Sequence, residues 1–171
     1  MNWHDMFTYQ EATGELVWKI RPRSHFGSAR AWNIFNAKHA GNVAGYSDPQ
    51  TGYKQIGVNG RHVPSHCIIW EMHYGKVPYG YEIDHADNDG SNNRISNFRL
   101  ATHAQNICNR PRQSNNLCGL KGVSRRPSGK WRARIKANGV VHNLGLHITK
   151  GLAAVAYAKA ALRHHGQFAR I

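Results

Sequence analysis

Short apolar runs separated by polar, turn-forming segments fill the first part of the chain. Residues 12–20 predict a turn followed by a short strand. Residues 51–63 alternate in a way that predicts a hairpin, closed by a turn at Asn59-Gly60. Residues 21–50 are polar with no clear period, which predicts an irregular loop with a helical turn near residues 31–38.

A helix follows, and after it two more strands. Its predicted span begins at Ser65, as the N-cap, and runs to about Tyr74. Its buried stripe is predicted to comprise Cys67, Ile68, Ile69 and Met72. Residues 81–85 and 98–101 predict short strands joined by a polar loop. Thr102 and Gln105 have the spacing of a capping box, so a helix should begin there and end near Arg110-Pro111.

The last part of the chain predicts three strands and a helix. The strands span residues 121–126, 130–137 and 140–147, and the helix spans 149–165. The middle strand alternates strictly, with apolar side chains on one face and Arg132, Arg134 and Lys136 on the other. The helix should bury a face of mostly small residues, namely Ala153, Ala156, Tyr157, Ala160 and Ala161.

These elements predict an α+β chain with two domains. The first domain would span residues 1–111, a linker 112–119, and the second domain 120–171. In the second domain, a three-stranded antiparallel sheet should pack on one helix. A length of 171 residues allows this division into two small domains.

Charge is distributed unevenly between these regions. The chain has 23 Lys and Arg residues against 9 Asp and Glu residues, a formal net charge of +14. All nine acids lie in residues 1–110, so residues 111–171 contain basic residues and no acid. Such an asymmetry predicts a polyanionic partner, most often a nucleic acid.

Composition excludes several classes of protein. No run of 18 apolar residues is present, and the first residues lack the basic and apolar pattern of a signal peptide, so we expect neither a membrane span nor a secreted protein. Three cysteines without a C-x-x-C pair favour a reducing cytosol over a disulfide framework or a zinc ribbon. We therefore expect a cytoplasmic protein.

Residues 84–106 hold the candidate chemistry. Asp84 and His85 end one predicted strand, Asn97 precedes the next, and Asn106 lies on the helix that follows. If these elements pack together, a carboxylate, an imidazole and carboxamides converge at one point. Phosphodiester hydrolysis needs a base for water and positive charge at the phosphate, and an imidazole and a Mg²⁺ ion on oxygen ligands supply these.

Residues 62–110 resemble the HNH endonucleases of phages and mobile introns, which have the ββα-metal fold. The matching positions are His66, Asp84-His85, Asn93-Arg94, the run 96–100 and Gln105-Asn106. The resemblance covers about 50 residues at several fixed spacings. One departure is Cys67, where the family usually has arginine.

The resemblance implies a role for each residue. Asp84 and Asn106 would bind one divalent ion, Mg²⁺ or alternatively Mn²⁺, and His85 would be the general base. Asn97 would brace the loop and orient His85 through a hydrogen bond. His66 and His103 are candidate phosphate contacts.

Plainer interpretations of the same residues exist. A lone Asp-His pair is most often a surface turn, and His103 could be a solvated side chain. The loop around Asp89 is unlike an EF-hand, because Ser96 stands where that loop requires glutamate. Zinc bound by Cys108 and Cys118 would lack the usual spacing.

Residues 120–166 resemble a second family, the plant APETALA/ethylene-response-factor DNA-binding domain. The matching segments are 121–123, 126–127, 129–131, 134–136, 144–145 and the alanine-rich stretch 153–161. By this resemblance and the cationic strand face, the candidate DNA contacts are Lys121, Arg126, Lys130, Arg132, Arg134, Lys136 and Asn143. Ser124, Ser128, Val141 and Asn143 stand where the plant domains often have Arg or Trp, so base preference does not transfer.

The leading hypothesis is a monomeric, metal-dependent endonuclease of the homing type that acts on double-stranded DNA. It would leave 5′-phosphate and 3′-hydroxyl ends, and it would bind neither a membrane nor a small-molecule substrate. The alternative is a DNA-binding regulator with an inactive HNH scaffold. A third hypothesis is a structural RNA-packaging protein.

Overall fold

The computed structural model describes residues 2–110, 112 and 116–171. Met1, Pro111 and residues 113–115 lie outside the described residues, and the last three of these belong to the predicted linker 112–119. The chain divides into two compact units, Met1–Leu100 and Ala101–Ile171. The helix that the sequence predicts from Thr102 to about Arg110, at the end of the first domain, is therefore grouped with the second unit.

The first unit is built from three small sheets and two helices among its described residues. Its elements are β1 (Phe7–Gln10), β2 (Glu15–Trp18), α1 (Ala29–His39), β3 (Tyr46–Ser47), β4 (Lys54–Val58), β5 (Arg61–Pro64), α2 (Ser65–Tyr74), β6 (Tyr81–His85) and β7 (Phe98–Thr102), the last running two residues past the division. β1 pairs with β2, β3 and β5 flank β4, and β6 pairs with β7.

The second unit begins with a short helix and continues with a sheet and a longer helix. Its elements are α3 (His103–Asn109), β8 (Val123–Arg125), β9 (Trp131–Ala137), β10 (Val140–His147) and α4 (Lys150–His165). β9 lies in the centre, antiparallel to both neighbours. The predicted mixed α and β class, with small antiparallel sheets, is confirmed.

Local sequence signals account for most element boundaries. The Asn59-Gly60 turn has two positive φ angles, 50° and 75°, which is the geometry of a tight hairpin turn. The capping box predicted at Thr102 and Gln105 is present at the start of α3. Both predictions rest on interactions among a few neighbouring residues, which do not depend on the rest of the fold.

Two predictions in the first unit were wrong. Residues 29–39 form a full helix in place of a loop with one turn, because Ser28 caps it and its inner side packs on Trp18. Pro64, not Ser65, is the N-cap of α2. Ser65 is the first helical residue, and its buried hydroxyl accepts a hydrogen bond from Asn93.

Each unit has its own apolar core. In the first, the hairpin β1–β2 and helix α2 pack around Phe7, Trp18, Ile56 and Ile69. In the second, α4 covers one face of the sheet. The buried residues of that helix are Ala153, Tyr157, Ala160 and Ala161, as its periodicity predicts. Small side chains let the helix lie close to the strands.

Replacing Gly122 by alanine should destabilise the second unit by about 3 kcal/mol. Gly122 has a φ of 68°. A Cβ there would overlap the ring of Tyr157 and lie 2.5 Å from the carbonyl oxygen of Arg134. Urea unfolding followed by circular dichroism measures the loss. Gly129→Ala is the matched control, because φ is 79° and a Cβ there meets no atom within 4 Å. Equal losses for the two variants would contradict the packing argument.

Candidate active site and nucleic-acid interface

Strand β6 ends on the two residues that the sequence singled out. Asp84 is 5% exposed and His85 is 4% exposed, so both are buried. Burying a carboxylate and an imidazole is costly unless each has polar partners. The surroundings of these two side chains therefore decide what they can do.

His85 is held by a chain of side chains that begins on helix α2. Its Nε2 lies 3.1 Å from Oδ1 of Asn93, and Nδ2 of Asn93 donates to Oγ of Ser65 at 3.0 Å. A carboxamide oxygen only accepts hydrogen bonds, so this contact is a hydrogen bond in the ring tautomer that has its proton on Nε2. The neutral ring then keeps its lone pair on Nδ1, which makes that atom the candidate base.

Aromatic side chains enclose the imidazole of His85. The ring centroids of Tyr53, His66 and Phe98 lie 5.6, 5.2 and 5.0 Å from it. Gly90 lies against the ring of Tyr53, and a Cβ there would stand 2.8 Å from a ring carbon. This enclosure restricts the orientation of His85.

His66 is a neutral part of this enclosure. Burial, and to a smaller extent His85, lower the pKa of His66 to about 4. Its Nδ1 is buried and makes no hydrogen bond with any residue that the structure describes. At neutral pH this candidate phosphate contact thus carries no positive charge.

Asn97 braces the loop that follows His85. Its Nδ2 donates to Oδ1 of Asp87 and to the carbonyl oxygen of Asn92, each at 2.9 Å. Its Oδ1 accepts from the backbone N–H of Asp87 at 3.2 Å. The hydrogen bond to His85 that was predicted for Asn97 is made by Asn93.

The loop carboxylate Asp87 is stabilised in its ionised form. Burial raises the pKa of Asp87. Hydrogen bonds from Asp89, Asn92 and Asn97, together with the nearby His85, outweigh that effect and lower the pKa below its usual value. The loop thus holds a fixed negative charge close to the imidazole.

The N-terminal hairpin supports this loop from outside it. The hydroxyl of Tyr9 on β1 accepts from the backbone N–H of Ile95 at 2.8 Å. Arg94 donates to the carbonyl oxygen of Ala12 at 2.9 Å. Gly14, at φ 77°, lies so close to the backbone of residues 93–94 that a Cβ would stand 2.5 Å from it. The position of Asn93 thus depends on contacts more than 75 residues away along the chain.

Asp84 pairs with Arg99 on the neighbouring strand β7. Nε of Arg99 lies 2.7 Å from Oδ2 of Asp84. No group of three His, Cys, Asp or Glu side chains in the described part of the chain could hold a metal ion. A carboxylate and a carboxamide still suit Mg²⁺, which keeps several waters and uses substrate phosphate oxygens as further ligands. The residues therefore fit a metal site that is completed by the substrate.

The remaining predicted site residues lie on helix α3. His103 is its first residue, and Asn106 lies one turn further on. Both are grouped with the second unit. Ser65, Tyr53, Asn93 and Arg99 were absent from the predicted site. Asn93 and Arg99 each had a sequence signal, since they lie in the family-like runs Asn93-Arg94 and 96–100.

The outer face of the second sheet is cationic. Arg134 and Lys136 on β9 are exposed, whereas Ala133, Ile135 and Ala137 between and beside them are buried. Asn143 on β10 lies opposite Arg134. Arg126 and Lys130 are exposed where the chain turns from β8 to β9. The predicted alternation of cationic and apolar faces is confirmed.

Two candidate DNA contacts, Lys121 and Arg132, are less exposed than the others. The ammonium group of Lys121 donates to the carbonyl oxygens of Cys108 and Arg110, at 2.6 and 2.9 Å, where helix α3 ends. Arg132 is only partly exposed, and its Nε is buried. Lys121 therefore caps a helix, and the exposed cations of the face lie elsewhere.

Comparison with known proteins identifies the region around His85. Residues 63–107 match the family model for HNH endonucleases. The chain is also 36% identical to Protein 3.8 of Escherichia phage T7 over 106 residues, which span 61% of this chain and 87% of that protein. The chain belongs to the same family as Protein 3.8 and carries an HNH endonuclease domain.

One further relative and one solved structure are named as HNH endonucleases. An HNH endonuclease of Acanthamoeba polyphaga mimivirus is 36% identical over 95 residues, which span 56% of this chain and 49% of that protein. A solved structure of the HNH homing endonuclease I-HmuI, studied for DNA binding and cleavage, aligns over 94% of this chain and 85% of its own at 17% identity and a TM-score of 0.41. No helix among the described residues of the present chain is long and apolar enough to cross a membrane.

Proposed function

We propose that this chain is a metal-dependent DNA endonuclease that hydrolyses phosphodiester bonds. The observation that carries the proposal is the buried hydrogen-bond chain from Ser65 through Asn93 to Nε2 of His85, inside the HNH domain. This chain leaves Nδ1 of His85 as the ring atom with a lone pair. A histidine with one nitrogen held in this way is suited to general base catalysis.

The chain's own residues would act as follows. Nδ1 of His85 takes a proton from a water molecule, and the water oxygen attacks the phosphorus. The bond from phosphorus to the 3′-oxygen breaks, and the departing oxygen takes a proton from solvent. The products are a 5′-phosphate and a 3′-hydroxyl. Asn93, Tyr53 and Phe98 keep the imidazole in one orientation.

By the family resemblance, Asp84 and Asn106 would hold the divalent ion, Mg²⁺ or Mn²⁺. Bound there, the ion would supply positive charge at the scissile phosphate and at the departing 3′-oxygen. The ion pair with Arg99 supports this role, because it holds the Asp84 carboxylate in one orientation.

The second unit would hold the DNA. The exposed cations of its sheet face neutralise phosphates and release counterions, and β-sheets can lie in the major groove. The resemblance to APETALA/ethylene-response-factor domains supports this use of the face. The proposed contacts that are exposed are Arg126, Lys130, Arg134, Lys136 and Asn143.

The test is conversion of supercoiled plasmid to open circles by the purified chain with Mg²⁺. One HNH domain in a monomer should cut one strand, so nicks should accumulate before linear product. EDTA should stop the reaction, and Mn²⁺ should restore it. No cutting with Mg²⁺, Mn²⁺, Ca²⁺ or Zn²⁺ would reject the proposal.

The alternative function is a DNA-binding regulator with an inactive HNH scaffold. The cationic sheet face favours it, because that face can bind DNA without any reaction. Salt-sensitive binding of duplex DNA together with an intact plasmid under all four metals would select this alternative. Preference for RNA in a competition assay would select the RNA-packaging hypothesis.

A further inference from the structure

A second basic segment lies in the first unit. Residues 16–47 contain Lys19, Arg21, Arg23, Arg30 and Lys38 and no acid. Residues 1–110 contain 11 Lys and Arg and nine acids, and this near balance conceals a cationic segment with helix α1 at its centre.

Helix α1 divides into an inner and an outer side. Its half-buried residues, Trp32, Phe35, Asn36 and His39, face the fold, and Phe35 packs edge-on against Trp18 at 5.1 Å. The exposed residues recur at helical spacing and form one continuous outer face. This outer face consists of Arg30, Asn33, Ile34, Ala37 and Lys38, with Ala29 and Ala31 exposed beside it in the first turn.

A buried arginine holds α1 in place. Arg21 is 4% exposed, and its guanidinium lies 4.8 Å from the ring of Phe26 and 5.0 Å from that of Phe35. Its backbone carbonyl accepts from Nε1 of Trp32 at 2.7 Å, and its N–H donates to Asn36 at 2.9 Å. Such a network fixes the helix rigidly, which suits a surface that must meet a rigid partner.

We infer that the outer face of α1 contacts duplex DNA on the same molecule that the HNH domain cuts. Arg30 and Lys38 are eight residues apart, about 12 Å along the helix axis, which equals the width of the major groove, about 12 Å. Each cation can then reach one phosphate strand while Asn33 and Ala37 face the base edges. Asparagine is a side chain that recognises adenine.

The composition of the outer face selects DNA over a lipid surface. A membrane-binding helix needs a broad apolar face, whereas the exposed apolar residues of α1 are one large side chain, Ile34, and three alanines. Residues 16–47 contain no acid, so a polyanion such as DNA meets no negative side chain within this segment.

The hairpin β4–β5 links this face to the site. A guanidinium nitrogen of Arg21 lies 3.4 Å from Oδ1 of Asn59 in the hairpin turn, and Tyr53 beside His85 lies six residues back along the strand. At 3.4 Å per residue Tyr53 and Asn59 lie at most about 20 Å apart, and crossing helix α1 to its outer face adds about 10 Å. The helix should thus contact DNA within about ten base pairs, one helical turn, of the cut; this inference rests on the proposed function.

Cross-linking and salt dependence test the contact in the full chain. A photoactivatable group attached at Ala37→Cys should cross-link to a nicked duplex within about ten base pairs of the nick. Tyr79→Cys, in the loop after α2, should not cross-link, nor should the unmodified chain with its native cysteines. Lys38→Gln should lower the salt slope of DNA binding by about 0.9, while Lys76→Gln should leave it unchanged.

The results separate this inference from the proposed function. If the wild-type chain nicks plasmid but Ala37→Cys gives no cross-link and Lys38→Gln keeps the full slope, the inference is overturned and the function stands. If the chain binds and cross-links DNA without cutting in any metal, the α1 contact stands and the endonuclease proposal fails. Cross-linking at Ala37→Cys and Tyr79→Cys alike would also overturn the inference.

Discussion

His85→Ala should reduce plasmid cleavage at least about a hundredfold while leaving DNA affinity within about twofold of wild type. A positioned general base contributes about 10²–10⁴ in rate. DNA affinity should not depend on the imidazole, because the exposed cations that bind phosphates lie elsewhere in the chain. The measurements are single-turnover nicking with Mg²⁺ and a filter-binding titration with Ca²⁺. A His85→Ala chain that cuts as fast as wild type would refute the assignment of the base.

Substitution of the residues that position His85 should lower the nicking rate by graded amounts, each smaller than the loss in His85→Ala. Asn93→Ala removes the partner of Nε2 and should lower the nicking rate about 10- to 100-fold. Ser65→Ala keeps the bond between Asn93 and His85 and should lower the rate less than fivefold. Asn93→Asp keeps an acceptor for Nε2 and should recover most of the rate. Because Asn93 is buried, urea unfolding of each variant separates lost stability from lost orientation. Equal rates for Asn93→Ala and Ser65→Ala at equal stability would refute the positioning role.

The double variant Arg134→Gln, Lys136→Gln should bind DNA about thirtyfold more weakly at physiological salt. Each lost contact lowers the slope of log affinity against log salt by about 0.9, so the pair should lower it by about 1.8. The measurement is a binding titration at four salt concentrations. Cleavage of saturating DNA should be nearly unchanged, because neither residue belongs to the HNH domain.

The matched control for that variant lies on the opposite side of the second unit. Lys159 and Arg163 on α4 are exposed and provide the same pair of residue types, so Lys159→Gln, Arg163→Gln removes the same charge. If the sheet face binds DNA, this control variant should lower the salt slope by less than half as much as Arg134→Gln, Lys136→Gln does. Equal slopes for the two double variants would mean that net charge alone, and not the sheet face, governs binding.

Sequence patterns predicted the second unit closely, since its signals are local. Strict alternation along β9, the Asn138-Gly139 turn and the small residues of α4 each specify geometry within a few residues. The helix α1 was missed for the opposite reason. Its inner residues are half-buried, none is fully buried, and its docking depends on Arg21 and Trp18.

The sequence by itself determined the chemistry that this protein can offer. It singled out Asp84 and His85, indicated the HNH resemblance and located the acid-free tail, because residue type, spacing and charge are properties of the chain alone. Tertiary structure decided which neighbours those residues have. Asn93 rather than Asn97 binds His85, Arg99 pairs with Asp84, and Lys121 caps a helix. Hydrogen bonds and ion pairs require contact within about 3 Å, and only the packing of distant segments brings such atoms together.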